Sequence, residues 1–284
     1  MKLLWRESIV ERERVITGQR VRARDRHPEE DNDAGTVTVG GIVCSRLSRA
    51  GLAATMVADT KKARSGELAQ PRIVISSNGM VIARYHADHA FRALVDAADI
   101  VDVDGMPLVM ATKLFCRRPL VERVATTDFV RDASAAATKE HIRFYLLGAA
   151  PGVADDAARN LVRAYPGLKI VGVRDGYFAR EQEGEVCEQI RASGADVLWL
   201  GIGSPYQEQF AFRNRAALSG LAWIRTCGGL FDFYSERVPR APGWMQEMGF
   251  EWLFRTLQEP RRLAGRYLRT NPSAAYHLLT KTHD

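Results

Sequence analysis

The residues whose types and spacing best suit chemistry are Asp104 and Gly105, in the stretch Ile100-Val-Asp-Val-Asp-Gly-Met-Pro-Leu-Val109. An acid and a glycine follow a β-branched run and precede a new amphipathic segment. In an α/β protein a strand hands over to a helix at such a point, and ligands bind in crevices outside strand ends. A carboxylate there can act as a general base, and the glycine lets backbone come close to a ligand. Asp-Gly is also a common turn dipeptide, so the pair takes its meaning from its surroundings.

Three more segments rich in small or polar residues fall at expected strand ends. Ser76-Ser-Asn78-Gly can hydrogen-bond a ligand's hydroxyls, with an Asn-Gly turn as the alternative. Leu147-Gly148-Ala149-Ala-Pro-Gly152 opens a helix whose free N–H groups favour a phosphate. Gly201-Ile-Gly203-Ser-Pro-Tyr-Gln207-Glu208 is a second glycine turn into a helix. Arg123, about 20 residues beyond Asp104, carries a fork that suits a diphosphate, although a surface ion pair with Glu122 is the commoner fate of such a pair. Tyr206 stands where a dinucleotide fingerprint needs its third glycine, which disfavours a nicotinamide enzyme. There is no Walker A sequence, GxSxG elbow or HExxH. Asp102-Val-Asp104 has the letters of a DxD motif but lies on the Asp-Gly element, so no metal site is expected. Cys44, Cys116, Cys187 and Cys227 are scattered without a CxxC pair and read as buried free thiols.

The elements that must position these residues alternate. Strands are expected from Thr36 to Val43 and over 72–76, 99–103, 143–148, 169–176, 196–203 and 221–229. Helices are expected over 45–64, 86–98, 107–115, 152–165, 181–193 and 206–218. This pattern predicts an α/β, Rossmann-like domain over residues 36–236, its mostly parallel sheet covered by helices on both faces. The continuously apolar strands agree with burial on both sides. Residues 1–35 are charge-dense, lack periodicity and read as a disordered or loosely attached leader.

The 284 residues are 46% hydrophobic and 26% charged, with net charge +6, ordinary for a soluble protein with a substantial core. Residues 237–284 hold eight Lys/Arg against four Asp/Glu and read as a basic helical C-terminal appendage. Its stripe of Phe250, Leu253, Phe254 and Leu257 fits either an interfacial helix beside arginines or a helix packed on the protein's own sheet. No run of 18 apolar residues suggests a transmembrane helix, and the amino terminus lacks the form of a secretory signal, so a cytoplasmic compartment is expected. The basic tail alone suggests nucleic-acid binding, and no RNP, zinc-finger or helix-turn-helix signal accompanies it.

Several motifs in order resemble the WecG/TagA/CpsF glycosyltransferases. They are ADIV-x-VDG at 98–105, ERV at 122–124, FYLLGA at 144–149, G-x-GSP-x-QE at 201–208, GG-x-FDF at 228–233, RAP at 240–242, EWLFR at 251–255 and EPRRLAGRY at 259–267. The resemblance covers about residues 37–272. It implies an inverting, metal-independent enzyme without a cofactor that moves a sugar from a UDP-sugar to a lipid-linked saccharide, often undecaprenyl-diphosphate-linked. Such work is done at the inner face of the plasma membrane, in cell-surface polysaccharide or exopolysaccharide synthesis.

By position, Asp104 matches the general base and Arg123 a pocket arginine facing the donor diphosphate. Ser76, Asn78, Gln207 and Glu208 match the acceptor pocket. Gly148, Ala149, Gly203, Gly229 and Asp232 match the nucleotide-binding turns. Arg255, Arg262 and Arg266 are the appendage arginines offered to phosphate. Three positions depart from the family's glycines: Thr126–Thr127 after the ERV element, Ala149, and Glu236. A catalytically inactive, membrane-docked scaffold of the same fold is the rival reading, against which intact Asp104, Asn78, Arg123 and Gln207 argue. Donor sugar, acceptor and homo-oligomeric state are left open.

Overall fold

A computed structural model of the chain describes residues 35–284; the expected leader over residues 1–35 falls, Gly35 apart, outside the described residues. The first described elements are β1 (Thr36–Val39) and β2 (Ile42–Ser45), an antiparallel hairpin joined by Gly40-Gly41, where one strand is expected from the sequence. Helix α1 (Arg49–Ser65) follows, capped at its start by the Ser48 hydroxyl, which accepts from Gly51 N.

Runs of Val, Ile, Leu and Trp then build the main sheet: β3 (Arg72–Ser77), β4 (Ile100–Val103), β5 (Arg143–Gly148), β6 (Lys169–Arg174), β7 (Val197–Gly201) and β8 (Trp223–Thr226). All its pairings are parallel, in the order β4-β3-β8-β7-β5-β6. The chain steps outward from β3 to β4 and from β5 to β6, then fills the middle with β7 and β8. That reversal leaves a crevice at the carboxyl ends of the central strands.

Alternation along the strands feeds two cores. Val74, Phe144, Trp199 and Trp223 face α5 (Thr126–Glu140), α6 (Val153–Ala164) and α1. Ile73, Ile75, Leu198 and Ile224 face α7 (Glu183–Ala192) and α8 (Tyr206–Asn214). A third cluster joins the hairpin to α2 (Gly79–Ala87), α3 (His89–Asp96) and α4 (Met106–Phe115).

Two differences from the sequence expectation have physical causes. The single helix expected over 86–98 is two helices, because Asn78 caps α2 and the Asp88 carboxylate accepts from Phe91 N to start α3. Helix α5 is not expected at all. Its inward face is Thr126, Phe129, Val130, Ala133, Ser134 and Ala137, a clean helical period written mostly in small residues that carry little hydropathy.

The carboxyl-terminal segment forms α9 (Leu230–Tyr234), α10 (Gly243–Glu247), α11 (Glu251–Gln258) and α12 (Pro260–Thr280). Helix α12 buries Leu263, Ala274 and Leu278, with Ala274 against Gly79 at the start of α2. Beyond it, Thr38 and His283 exchange two backbone hydrogen bonds of 3.0 Å, and Gly41 N donates to Lys281 O at 2.8 Å. The appendage is therefore sewn into the first hairpin. Helix α11 differs, since none of its residues is buried and Leu257 is 71% exposed. The stripe of Phe250, Leu253, Phe254 and Leu257 does not enter the protein's own core.

One glycine is fixed by space as well as by conformation. Gly148 has φ +150°, and a Cβ there would stand 2.3 Å from the Gly201 carbonyl oxygen of the next strand. Backbone cannot yield as a side chain can. We expect Gly148→Ala to lose about 3 kcal/mol in urea unfolding, whereas Gly184→Ala, on an open helical turn, gains about 0.5–1 kcal/mol.

Candidate active site

Strand register assembles the centre of the crevice. Ser76 pairs with Asp102 and Val74 with Arg225, so Ser76, Asp102 and Arg225 all point to the α5 face. Arg225 is fully buried and Asp102 2% exposed; their closest atoms, Nη1 and Oδ2, are 2.6 Å apart. Ser76 Oγ donates to Asp102 Oδ1 and accepts from Arg225 Nη2, each at 2.8 Å. The Thr126 hydroxyl, on the first turn of α5, stands 2.9 Å from Ser76 Oγ. The guanidinium also lies over the Phe129 ring, 5.4 Å from its centroid. An arginine cannot shed its proton in a protein, so Asp102 is held here as its counter-charge. Burial raises the Asp102 carboxyl above its ordinary value, and Arg225 and Ser76 offset part of that rise.

Asp104 lies two residues further and shares that face. Its amide continues the ladder by donating to Ser77 O at 2.8 Å, and Val124 N donates to Val103 O at 2.7 Å, drawing the 122–125 segment alongside. Gly105, at φ +138°, then turns the chain into α4; an added Cβ would meet nothing closer than 3.8 Å, so backbone conformation selects glycine here. The Asp104 carboxylate is half-buried, and Thr126 N approaches its Oδ2 at 3.5 Å, a long contact. Among the described residues it forms no ion pair. Burial, with added repulsion from Asp102 and Glu251, lifts its pKa from 3.8 to about 7; Arg123 and the Thr126 amide oppose this. The two acids thus share a face and differ in partner: one is neutralised, the other is left able to take a proton near neutral pH.

Arg123 faces its own chain. It donates to Asp128 Oδ2 (3.1 Å) and Gln246 Oε1 (3.0 Å) and lies 3.5 Å from Glu251. Arg240 meets the same three groups: Asp128 Oδ1 at 2.8 Å, Gln246 Oε1 at 2.7 Å and Glu251 at 4.0 Å. The two arginines hold the Asp128 carboxyl below the usual carboxylate range against the effect of burial. This net clamps α10 and α11 across the front of the crevice. Arg123, expected from the sequence to face a donor diphosphate, here has its fork filled by carboxylates and an amide.

The glycine turns line the middle of the sheet edge. Ala149 N donates to Gly201 O at 3.1 Å and Gly176 N to Ala149 O at 2.9 Å. Gln207 and Glu208 are buried and do not form an open acceptor wall. Gln207 Oε1 accepts from Gly228 N (3.1 Å), and its Nε2 donates to Glu208 Oε1 (2.8 Å). They brace the Gly228-Gly229 turn from beneath, and burial raises the Glu208 carboxyl. Asn78 is likewise an N-cap, its Oδ1 accepting from Met80 N and Val81 N at 3.0 and 3.1 Å. Asp232 and Arg255 flank Gly229: a Cβ built there would lie 3.3 Å from Asp232 Oδ2 and 3.8 Å from Arg255 Nη2. Arg255 also covers the Phe233 ring at 4.8 Å. Arg266 lies over Tyr267 within α12, and the Arg262 side chain lies outside the described residues. Gly203 opens the turn into α8 at φ +87°, and a Cβ built there would meet nothing within 4 Å. Among the described residues no group of three His, Cys, Asp or Glu is placed to share a metal ion.

The family model described as Glycosyl transferase WecG/TagA/CpsF family matches residues 37–283, nearly all of the described chain. The chain belongs to that family. It is a glycosyltransferase of cell-surface polysaccharide synthesis.

Two departures from the family's glycines now have a conformation. Ala149 and Glu236 both sit at positive φ, +59° and +61°, where an L side chain is strained by about 1–2 kcal/mol. Thr126 has no such strain, and its hydroxyl joins the Ser76–Arg225 set. The sequence reading missed Arg225 and Thr126 and passed over Asp102. The usable signal was one charge of each sign inside two strands otherwise too apolar to be solvated, Ile100–Val103 and Trp223–Thr226.

Removing either buried partner strands the other's charge, so Asp102→Asn and Arg225→Met should each lose about 3–5 kcal/mol. The double variant Asp102→Leu/Arg225→Met should be more stable than either in the same denaturation assay. Asp104 has the opposite signature. Its folded pKa is above its unfolded one, so the native state keeps a proton that the unfolded chain releases from about pH 4 upward, until the native group itself ionises near 7. Stability should fall through that window, and Asp104→Asn should flatten the decline in thermal midpoints recorded from pH 4 to 8.

Proposed function

We propose that the protein is an inverting, metal-independent glycosyltransferase with no cofactor, which moves a sugar from a UDP-sugar to a lipid-linked saccharide, its acceptor an undecaprenyl-diphosphate-linked type. The sugar is of the hexose, N-acetylhexosamine or uronic acid class. The observation that carries the reading is Asp104: half-buried, free of an ion pair among the described residues, and poised near pH 7 beside a neutralised twin.

In a single displacement, Asp104 takes the proton of the acceptor hydroxyl as its oxygen bonds to the anomeric carbon. The bond from that carbon to the UDP oxygen breaks, and the UDP carries away the electron pair. A base with a pKa near the working pH suits this step. Charge gathers on the diphosphate, where the turns at Gly148, Gly203 and Gly229 and the Arg255 guanidinium offer donors. Arg123 serves by holding α10 and α11 in place, and Glu251 of α11 raises the proton affinity of the base. Ser76 and Thr126 set the floor of the acceptor side.

The enzyme works at the inner face of the plasma membrane as a peripheral protein. No helix among the described residues is long and apolar enough to cross a bilayer, and the partly exposed stripe of α11 beside a basic segment fits an interfacial contact.

A radiolabelled transfer assay over a panel of UDP-sugars with a lipid-linked acceptor tests the reading; no transfer from any UDP-sugar would refute it. Asp104→Asn should lower turnover a hundredfold or more while UDP still binds. In the wild type, kcat/KM should fall tenfold per pH unit below about 7. A base assignment does not survive unchanged turnover in the variant or a flat profile between pH 5 and 7.

A further inference from the structure

Helix α4 leaves Gly105 beside the base and is apolar on both sides. Leu108, Val109 and Ala111 are buried in the third core, yet Met110 and Leu114 are 56% and 71% exposed, and Val121 just beyond is 61% exposed. Met110 and Leu114 lie one turn apart on the outward face, Lys113 is exposed between them, and Arg117 is exposed two residues beyond the end of the helix. From Gly105 to Val121 the sequence holds Lys113, Arg117 and Arg118 and no Asp or Glu at all. The fold brings the Asp284 carboxylate to the edge of this stretch, where it accepts from Arg117 N at 2.7 Å and pairs with Arg46. Lys113, Arg117 and Arg118 still leave the face net basic, and apolar side chains among such cations match an anionic lipid surface in both chemistry and charge.

We infer that the outward face of α4, with Met110, Leu114 and Val121 as its apolar contacts, is a docking surface for an anionic membrane and lays the mouth of the catalytic crevice on it.

Continuity with the appendage supports this. A Cβ built on Gly249, between α10 and α11, would touch Pro107 at 3.0 Å, so that corner rests on the first turn of α4. Met248 and Phe250, both exposed, extend the α4 surface toward the α11 stripe. A second copy of the chain fits less well. A two-fold interface sets a patch against itself, and this patch would then face three cations with three cations.

The geometry has a consequence for the substrate. Helix α4 has ten residues, about 15 Å at 1.5 Å per residue. Asp104 stands at one end and Leu114 near the other. With α4 in the plane of the headgroups, the base is held close to the depth at which a lipid-borne sugar emerges. The inference rests on the lipid-linked acceptor proposed above, but its test uses neither donor nor acceptor.

The full chain is sedimented with vesicles of phosphatidylcholine containing phosphatidylglycerol, and with phosphatidylcholine alone. The wild type should partition onto the first at least tenfold more than onto the second. Met110→Glu/Leu114→Glu should lower partition onto the anionic vesicles at least tenfold, with unchanged circular dichroism and thermal midpoint because both side chains are exposed. Lys113→Gln/Arg117→Gln should erase the preference for phosphatidylglycerol. Equal partition of the Glu variant and the wild type would overturn the inference. So would light scattering that shows a wild-type dimer made monomeric by the Glu substitutions, which would assign the face to a second copy. Vesicle binding that survives while all UDP-sugar transfer fails would retire the proposed reaction and keep the surface.

Discussion

A guanidinium sealed from water has to keep a carboxylate beside it, and in this fold that need falls on Arg225 and Asp102. They stand on β8 and β4 with β3 between them, and Ser76 bridges the gap from β3. Once Asp102 is committed, the acid two residues on inherits its field without a cation of its own. Asp104 is therefore shaped as a proton acceptor by what lies beneath it. The same set anchors Thr126, and with it the first turn of α5, whose amide comes up to the Asp104 carboxylate. Base and support are one construction spanning three strands and a helix.

The carboxyl-terminal helices complete it from the front. Asp128 and Gln246 collect Arg123 and Arg240, and Glu251 joins them within reach of Asp104. Helix α12 carries the segment back to the first hairpin, so the appendage is gripped at both ends while α11 between leaves its apolar stripe only partly covered, with Leu257 exposed. That arrangement couples the crevice to a surface: a shift of α11 would move Glu251, and the proton affinity of the base would move with it.

Much of this was legible in the sequence. Apolar runs between turn residues give the strands, and Arg143–Gly148 has the expected bounds. The Asp104-Gly105 step stands at a strand end because β-branched residues stop there. Helix α5 was hidden by its small-residue face, and the break at Asp88 by the unbroken helical spacing around it. The site was half visible. Types and order pointed to Asp104 and the glycine turns, but Asn78, Gln207 and Glu208 have side chains equally suited to ligands and to backbone, and backbone won. Which role wins depends on where an unpaired N–H falls in three dimensions, and no local spacing encodes that. Arg225 was hidden because its partner is 123 positions away and its meaning lies in a register between strands.

The central claim is that Asp104 is an acid that titrates near neutrality. Carbon-13 NMR of the aspartate carboxyls, with the Asp104 signal assigned by its loss in Asp104→Asn, reads this directly. A midpoint of about 7 for that signal is the predicted result. A midpoint near 4, the value of an ordinary solvated aspartate, would contradict the account.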